Sequence, residues 1–222
     1  MASAPGLFIT FEGGEGAGKS TQIRLLREHL DALGRSCVVT REPGGSPRAE
    51  RIREHILSGA AKPLGPFAEA LLFYAARRDH LDTVIRPALA AGQVVLCDRF
   101  SDSTRAYQGA LGALDPELIR DLDRVVVGTT RPDVTLILDV PPSLGLARAA
   151  RRRQDGAGDR FEAEPPSFHE RLAEAFREIA AAEPERCVLI DGTGTVEEVA
   201  ERIRSALEAG LPALSGAARD VA

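Results

Sequence analysis

Lys19 and Ser20 close a run of glycines at Gly13, Gly14, Gly16 and Gly18. The spacing Gly13-x-x-x-x-Gly18-Lys19-Ser20 is that of a phosphate-binding loop. Gly13, Gly16 and Gly18 let the backbone turn tightly and approach a polyphosphate. The amides of Gly14, Glu15 and Ala17, and those of Ser20 and Thr21 at the helix start, then point at anionic oxygens. Lys19 neutralises the β/γ-phosphates, and the Ser20 hydroxyl is a ligand for Mg²⁺. The pattern implies a bound nucleoside triphosphate and leaves open what is done with it.

Further polar residues fall where apolar runs end. They are Glu12, Arg41-Glu42 and Asp98-Arg99. In an open parallel sheet, ligands sit outside the carboxyl ends of the strands, so these residues are expected to share one crevice. Asp98 is placed to support Mg²⁺. A hydrolytic ATPase would have a second acid next; here stands Arg99, a cation suited to an anionic second substrate. A guanine-nucleotide switch reads its base with Asn-Lys-x-Asp, and the chain contains no Asn. Phe73 and Arg77 lie four apart and share one helix face. A ring to stack on a base and a guanidinium to meet its carbonyl would need that arrangement; a core Phe beside a solvated Arg is the plainer alternative.

The elements that must position these groups alternate. Strand-like runs cover Leu7–Glu12, Ser36–Arg41, Gln93–Asp98, Val134–Val140 and Arg186–Asp191. Helical stretches lie at about 20–33, 47–58, 67–91, 115–127, 143–153, 167–182 and 195–209. Near-continuous apolar strands suit a parallel sheet buried on both faces. The expected fold is α/β, a doubly wound five-stranded parallel sheet flanked by helices. The 222 residues suffice for a single domain. Residues 151–166 form a charged, glycine-containing interruption that reads either as a solvated connection or as a lid carrying arginines, about 148–163. The tail at about 211–222, rich in Ala, Gly and Ser, is expected to fray.

With 27% charged and 44% hydrophobic residues, the composition is that of a globular protein. A net charge of −5 gives no global basic surface for nucleic acid. No apolar run approaches the ~18 residues of a membrane span, and the first residues lack the pattern of a secretory signal. Cys37, Cys97 and Cys187 have no metal-like spacing and fall in strands, as reduced thiols would. A cytoplasmic location is expected. His29, His55, His80 and His169 are scattered over helices and read as surface or structural residues.

Along nearly its whole length the sequence resembles the thymidylate (dTMP) kinases. The resemblance rests on Phe11–Thr21, Thr40–Gly45 (Thr-Arg-Glu-Pro-Gly-Gly), Leu72–Arg77 (Leu-Phe-Tyr-Ala-Ala-Arg), Asp98–Phe100, Ser103–Gly109 (Ser-Thr-Arg-Ala-Tyr-Gln-Gly) and Arg131–Asp133, in that order. It implies the fold of the P-loop nucleoside monophosphate kinases. It also implies transfer of the γ-phosphoryl of ATP to dTMP, giving dTDP, with Mg²⁺ as cofactor and a homodimeric assembly. By this resemblance Phe73 stacks on thymine, Arg77 meets its carbonyl and Arg99 grips the dTMP phosphate. Tyr107 lies under the deoxyribose, Ser103 and Gln108 line the base pocket, and Glu42-Pro43 shape the floor of the monophosphate site. Glu15 is the acid near the sugar or phosphates. Some family members carry an Arg inside the phosphate loop; here the positions are Gly14, Glu15, Gly16 and Ala17. The chain matches the other pattern, in which the catalytic Arg comes from the lid, one of Arg151, Arg152, Arg153 and Arg160.

The acceptor in such a reaction is a phosphate oxygen, already anionic near pH 7, so no strong general base is required. Two rival readings fit many of the same residues. One is another nucleoside monophosphate kinase, or a deoxynucleoside kinase with Glu42 as base. The other is an ATP-binding regulatory protein without an acceptor.

Overall fold

A computed structural model describes residues 6–152 and 160–211. Its centre is a five-stranded, all-parallel sheet ordered β2-β3-β1-β4-β5. The strands are β1 (Leu7–Gly13), β2 (Cys37–Arg41), β3 (Val94–Asp98), β4 (Val134–Asp139) and β5 (Cys187–Asp191). All seven residues of β1 are buried, which accounts for its mainly apolar character, broken only by Thr10 and Glu12 before the closing Gly13. The helices are α1 (Lys19–Ala32), α2 (Pro47–Leu57), α3 (Gly65–His80), α4 (Arg86–Ala90), α5 (Ser101–Thr104), α6 (Pro116–Val126), α7 (Pro142–Arg152), α8 (Pro166–Ala182) and α9 (Val196–Gly210).

The two faces of the sheet follow the period-2 alternation of its strands. Leu7, Ile9 and Phe11 of β1, with Leu96 and Leu136, pack against Ile23, Leu26 and Leu30 of α1 and Ile203 and Leu207 of α9. Phe8 points the other way, with Val95 and Cys97, into Leu81, Ile85 and Phe100. Ile137 on the same face meets Leu172 and Phe176 of α8. Each such aliphatic or aromatic side chain contributes about 1.5–3 kcal/mol by leaving water.

The register aligns the ends of the central strands. Phe11 and Arg41 both stand opposite Asp98, and Gly13 stands opposite Leu138. β1 has β3 on one side and β4 on the other, so the crevice where the winding reverses opens above Gly13.

Two helical expectations need correction. The single helix read over 67–91 starts at Gly65 and is interrupted by a wide π-helical turn at Leu81–Ile85 before α4. Pro87 explains the interruption. It has no N–H to offer, and its ring crowds the carbonyl one turn back, so the chain widens there. The segment 101–111, to which the sequence pattern assigns no element, is helical throughout, α5 continuing into a π-helical stretch at Arg105–Leu111. Its N-terminus is held by a distant residue: Phe100 and Ser103 donate their backbone N–H groups to Glu12 Oε1, at 2.8 and 3.1 Å. The expected lid begins inside α7 and ends in a short 3₁₀ turn, Arg160–Ala163. Residues 153–159 and the expected frayed tail at 212–222 lie outside the described residues. Among the described residues, no helix is long and apolar enough to cross a membrane.

Candidate active site

The glycine loop joins β1 to α1 as the spacing requires. Gly13 has φ 128°, and a Cβ there would lie 2.5 Å from the Leu138 carbonyl oxygen. Only glycine fits that backbone beside β4. α1 begins without a side-chain cap, its N-cap being Gly18. Lys19 is buried and arches back to donate from Nζ to Gly13 O at 3.0 Å and Gly14 O at 2.9 Å. Burial and the nearby Arg99 push the pKa of this ammonium down, opposed by Asp98, Glu15 and Glu12. Ser20 Oγ donates to Asp98 Oδ2 at 3.0 Å, joining the first turn of α1 to the end of β3.

Next to Asp98, Arg99 sits in the left-handed region at φ 68°. Its Nη1 donates to Gly13 O at 3.1 Å and Ser103 Oγ at 3.2 Å, and its Nη2 to Glu15 Oε1 at 2.6 Å. The guanidinium also lies 5.2 Å from the centre of the Tyr107 ring, and the Tyr107 hydroxyl donates to the same Glu15 oxygen at 2.9 Å. Burial alone would raise the pKa of Glu15, but Arg99, Lys19 and the Tyr107 hydroxyl outweigh it and bring it to about 2. The loop acid is therefore ionised at neutral pH. Behind it, burial first and then Asp102 raise the Glu12 carboxyl to about 7.

Helix periodicity places Phe73 and Arg77 on one face and leaves the exposure of Arg77 open. The guanidinium is buried, while Phe73 is half-exposed on the wall of a cleft of ≈ 480 Å³. Arg77 Nε donates to Glu42 Oε2 at 2.7 Å and Nη2 to Thr104 Oγ1 at 3.0 Å. Tyr74 and Phe100 rings flank it at 4.9 and 5.0 Å. Nη1 is buried and has no hydrogen-bond partner. A buried charged donor left over in this way is suited to an acceptor oxygen brought by a ligand. The other Glu42 oxygen meets His80 Nδ1 at 3.0 Å, and His80 Nε2 meets Thr40 Oγ1 at 2.6 Å. Both carboxylate oxygens of Glu42 are thus engaged in holding Arg77 and His80, which disfavours its use as the base of a deoxynucleoside kinase.

One cleft gathers Glu15, Gly16, Ala17, Gly18, Lys19, Ser20 and Thr21 with Glu42, Pro43, Phe73, Arg77, Asp98, Arg99, Ser103, Tyr107 and Gln108. Gly13 and Gly14 line a small neighbouring cavity toward β4 and α8 instead, with their carbonyls taken by Lys19 and Arg99. Phe161 and Glu162, from the 3₁₀ turn, also line the cleft, and the Phe161 ring meets Tyr107 edge to face at 5.0 Å. Arg151 is exposed on α7 and is not among the residues lining this cleft. The side chains of Arg152 and Arg160 lie outside the described atoms, and Arg153 outside the described residues.

Sequence reasoning assigns nothing to a second cavity of ≈ 260 Å³ across the loop. Gly16 and Gly18 border both cavities. Gln22, Arg148, Gly192, Gly194 and Thr195 complete it, and Arg148 Nη1 donates to Gly192 O at 3.3 Å. The available signal is the Gly192-x-Gly194 turn directly after β5, at a strand's carboxyl end. The cysteines are unpaired, and burial raises the thiol pKa of Cys37 to about 11, that of Cys187 to about 12, and that of Cys97 well above its usual value. None is poised as a nucleophile at neutral pH.

Residues 11–203 match the family described as "Thymidylate kinase". The chain is 58% identical over 202 residues to the "Thymidylate kinase" of Nitrobacter hamburgensis, covering 91% of this chain and 88% of that one. It is 59% identical over 218 residues to the "Thymidylate kinase" of Rhodopseudomonas palustris, covering 97% and 95%. The crystal structure of thymidylate kinase from Ehrlichia chaffeensis superposes with a TM-score of 0.75 at 33% identity, covering 91% of this chain and 99% of that one.

Proposed function

The chain belongs to the thymidylate kinase family, ATP-dependent enzymes that phosphorylate dTMP to dTDP, and from that premise we propose how its side chains divide the reaction. The ≈ 480 Å³ cleft takes dTMP. Phe73 stacks on thymine, Arg77 Nη1 donates to the base carbonyl, and Ser103 and Gln108 line the pocket. Glu42-Pro43 forms the floor, with Glu42 holding Arg77 in place. Tyr107 lies under the deoxyribose with its hydroxyl on Glu15, and disfavours a 2′-hydroxyl. Arg99 grips the 5′-phosphate.

ATP lies over the loop from Gly13 to Thr21. Its phosphates reach Lys19, and its base occupies the cavity of Arg148 and Thr195 on the far side. Mg²⁺ keeps most of its water and takes one or two protein oxygens beside phosphates, so the adjoined Ser20 hydroxyl and Asp98 carboxylate fit it. When bound, the ion supplies neutralisation of the β- and γ-oxygens. The protein's own task is to bring two polyanions together. Lys19, Arg99 and a lid arginine neutralise charge, while Phe73, Arg77 and Tyr107 fix the acceptor in line. The attacking phosphate oxygen needs no base.

The observation that carries the acceptor assignment is the buried Arg77 Nη1 without a partner. An ADP-release assay with ATP, Mg²⁺ and each nucleoside monophosphate in turn tests it. The expected result is turnover with dTMP far above that with dCMP, dAMP or dGMP. Equal turnover with all four would refute it. The reading extends to one domain over 1–222 with a lid at about 148–163, to a homodimer, and to a cytoplasmic enzyme. Three unpaired thiols support a reducing compartment.

A further inference from the structure

Glu69, Phe73 and Arg77 succeed one another at four-residue intervals on α3 and form one stripe. Phe73 and Arg77 line the acceptor cleft; Glu69 does not. It reaches the cleft through Gln108, whose Nε2 donates to Glu69 Oε1 at 2.9 Å between two buried side chains. A carboxylate accepts hydrogen bonds and has none to give, whereas a glutamine amide has one end of each kind. Glu69 thus takes the donor end of Gln108 and leaves Oε1 as the end available to a ligand in the cleft that Gln108 lines. Arg77 lines the same cleft, and its Nη1 is a donor with no acceptor end at all.

We propose that Glu69 is a positioning residue for base selection, locking the Gln108 amide so that the pocket offers one donor and one acceptor in fixed order. This rests on the acceptor reading above. A base with a carbonyl next to a ring N–H, as in thymine, matches donor and acceptor together. Cytosine reverses both, presenting an amino group to Arg77 and a bare ring nitrogen to Gln108 Oε1. Specificity of this kind arises as much from the mismatch as from the match. If Gln108 were free to turn over, half of the mismatch would vanish.

The test compares kcat/KM for dTMP with that for 5-methyl-dCMP, which has the shape of dTMP and the opposite hydrogen-bond order. Glu69→Gln keeps the size of the side chain and can both give and accept, so the Gln108 amide is released. The expected result is a rise of about tenfold in the 5-methyl-dCMP to dTMP ratio, about one hydrogen bond's worth. The KM for ATP should stay as it was. Gln108→Met removes the amide, and Glu69→Gln added to it should change the ratio no further. An unchanged ratio in E69Q overturns the proposal, and so does a ratio that still moves in the Q108M background. A parallel rise in the KM of both dTMP and ATP, at constant ratio, would show a merely structural role and overturn it equally. Should E69Q not fold, Q108M decides alone: a wild-type ratio there means that no amide reads the base. Failure of the acceptor reading itself is separable, because Phe73→Ala would then bind dTMP as wild type does.

Discussion

Arg99 Nη2 lies 2.6 Å from Glu15 Oε1, an ion pair between the residue after β3 and the middle of the glycine loop. It fixes the planar fork of the guanidinium over the Tyr107 ring, with Nη1 held by Gly13 O and Ser103 Oγ. A lysine cannot reproduce that fork. Arg99→Lys should therefore cut kcat/KM for dTMP by roughly 10²-fold while the KM for ATP changes little. Steady-state kinetics with each substrate varied in turn would check this. Equal losses for both substrates would place Arg99 outside the acceptor site.

Phe73 and Arg77 share the acceptor cleft but differ in burial, so their alanine variants should differ in stability. Phe73→Ala removes a half-exposed ring and should weaken dTMP binding with little change in Tm. Arg77→Ala leaves Glu42 buried beside His80 without its main partner. Such a loss costs about 3–5 kcal/mol. The expected outcome is loss of dTMP binding in both variants and a marked fall in Tm only in Arg77→Ala. Calorimetric titration with dTMP and thermal melts separate the two effects.

Much of this site is legible in the sequence because its chemistry is local. Lys19, Ser20 and the glycines are contiguous, and Asp98-Arg99 ends an apolar strand. Phe73 and Arg77 need only helix periodicity to be paired. What is not legible depends on long-range partners. The helix at 101–111 opens with Ser-Asp-Ser-Thr and owes its start to Glu12, 88 residues before Phe100. The burial of Arg77 depends on Glu42, 35 residues away, and on Thr104, 27 away. The second cavity assembles the glycine loop, α1, α7, the turn after β5 and α9, pieces far apart in the sequence.

Glu12 offers a pH-dependent test. Its carboxyl is raised to about 7 in the folded chain, by burial first and then by Asp102, from an ordinary value of 4.5. Between those two values the folded state holds a proton that the unfolded state has released. Stability from this group is thus fully present below pH 4.5 and is lost as pH rises through 7. Wild type should lose up to about 1.4 kcal/mol for each pH unit climbed inside that window. Glu12→Gln never ionises, so its stability relative to wild type should improve by a few kcal/mol in all between pH 5 and pH 8. Urea unfolding of both proteins at pH 5, 6, 7 and 8 measures the gap. A gap independent of pH would contradict the assignment.

The apolar side chains of Phe67 and Leu71 remain 47% and 42% exposed, one turn apart on α3, with Leu64 just before them at 61%. A row of this kind is costly to leave in water. A symmetric dimer would bury it twice over. Light scattering should give twice the chain mass at micromolar concentration, and Phe67→Glu should give the monomer. Monomer mass for the wild type would refute the dimer.

The lid arginines bear on turnover. The glycine loop carries Lys19 but no arginine, so an arginine for the transferring phosphoryl would come from another segment, and two anchors bracket a candidate. At one end α7 rests on the loop itself: Gly16 and the Gly145 carbonyl approach so closely that a Cβ on Gly16 would collide with it, and a Cβ on Gly145 would meet the Glu15 carbonyl. At the other end Phe161 packs on Tyr107 in the acceptor cleft. The described chain ends near the donor side at α7 and resumes on the acceptor side at the 3₁₀ turn, and Arg151, Arg152, Arg153 and Arg160 fall in the sequence between or beside those two anchors. An arginine contact made chiefly in the transition state would support turnover more than binding. Replacing all four with Ala should therefore lower kcat by about 10²-fold or more while raising the KM for dTMP only a few-fold. Restoring them one at a time would identify the residue responsible. A quadruple variant with wild-type kcat would mean that Lys19, Arg99 and the metal ion suffice, and that the segment only connects α7 to α8.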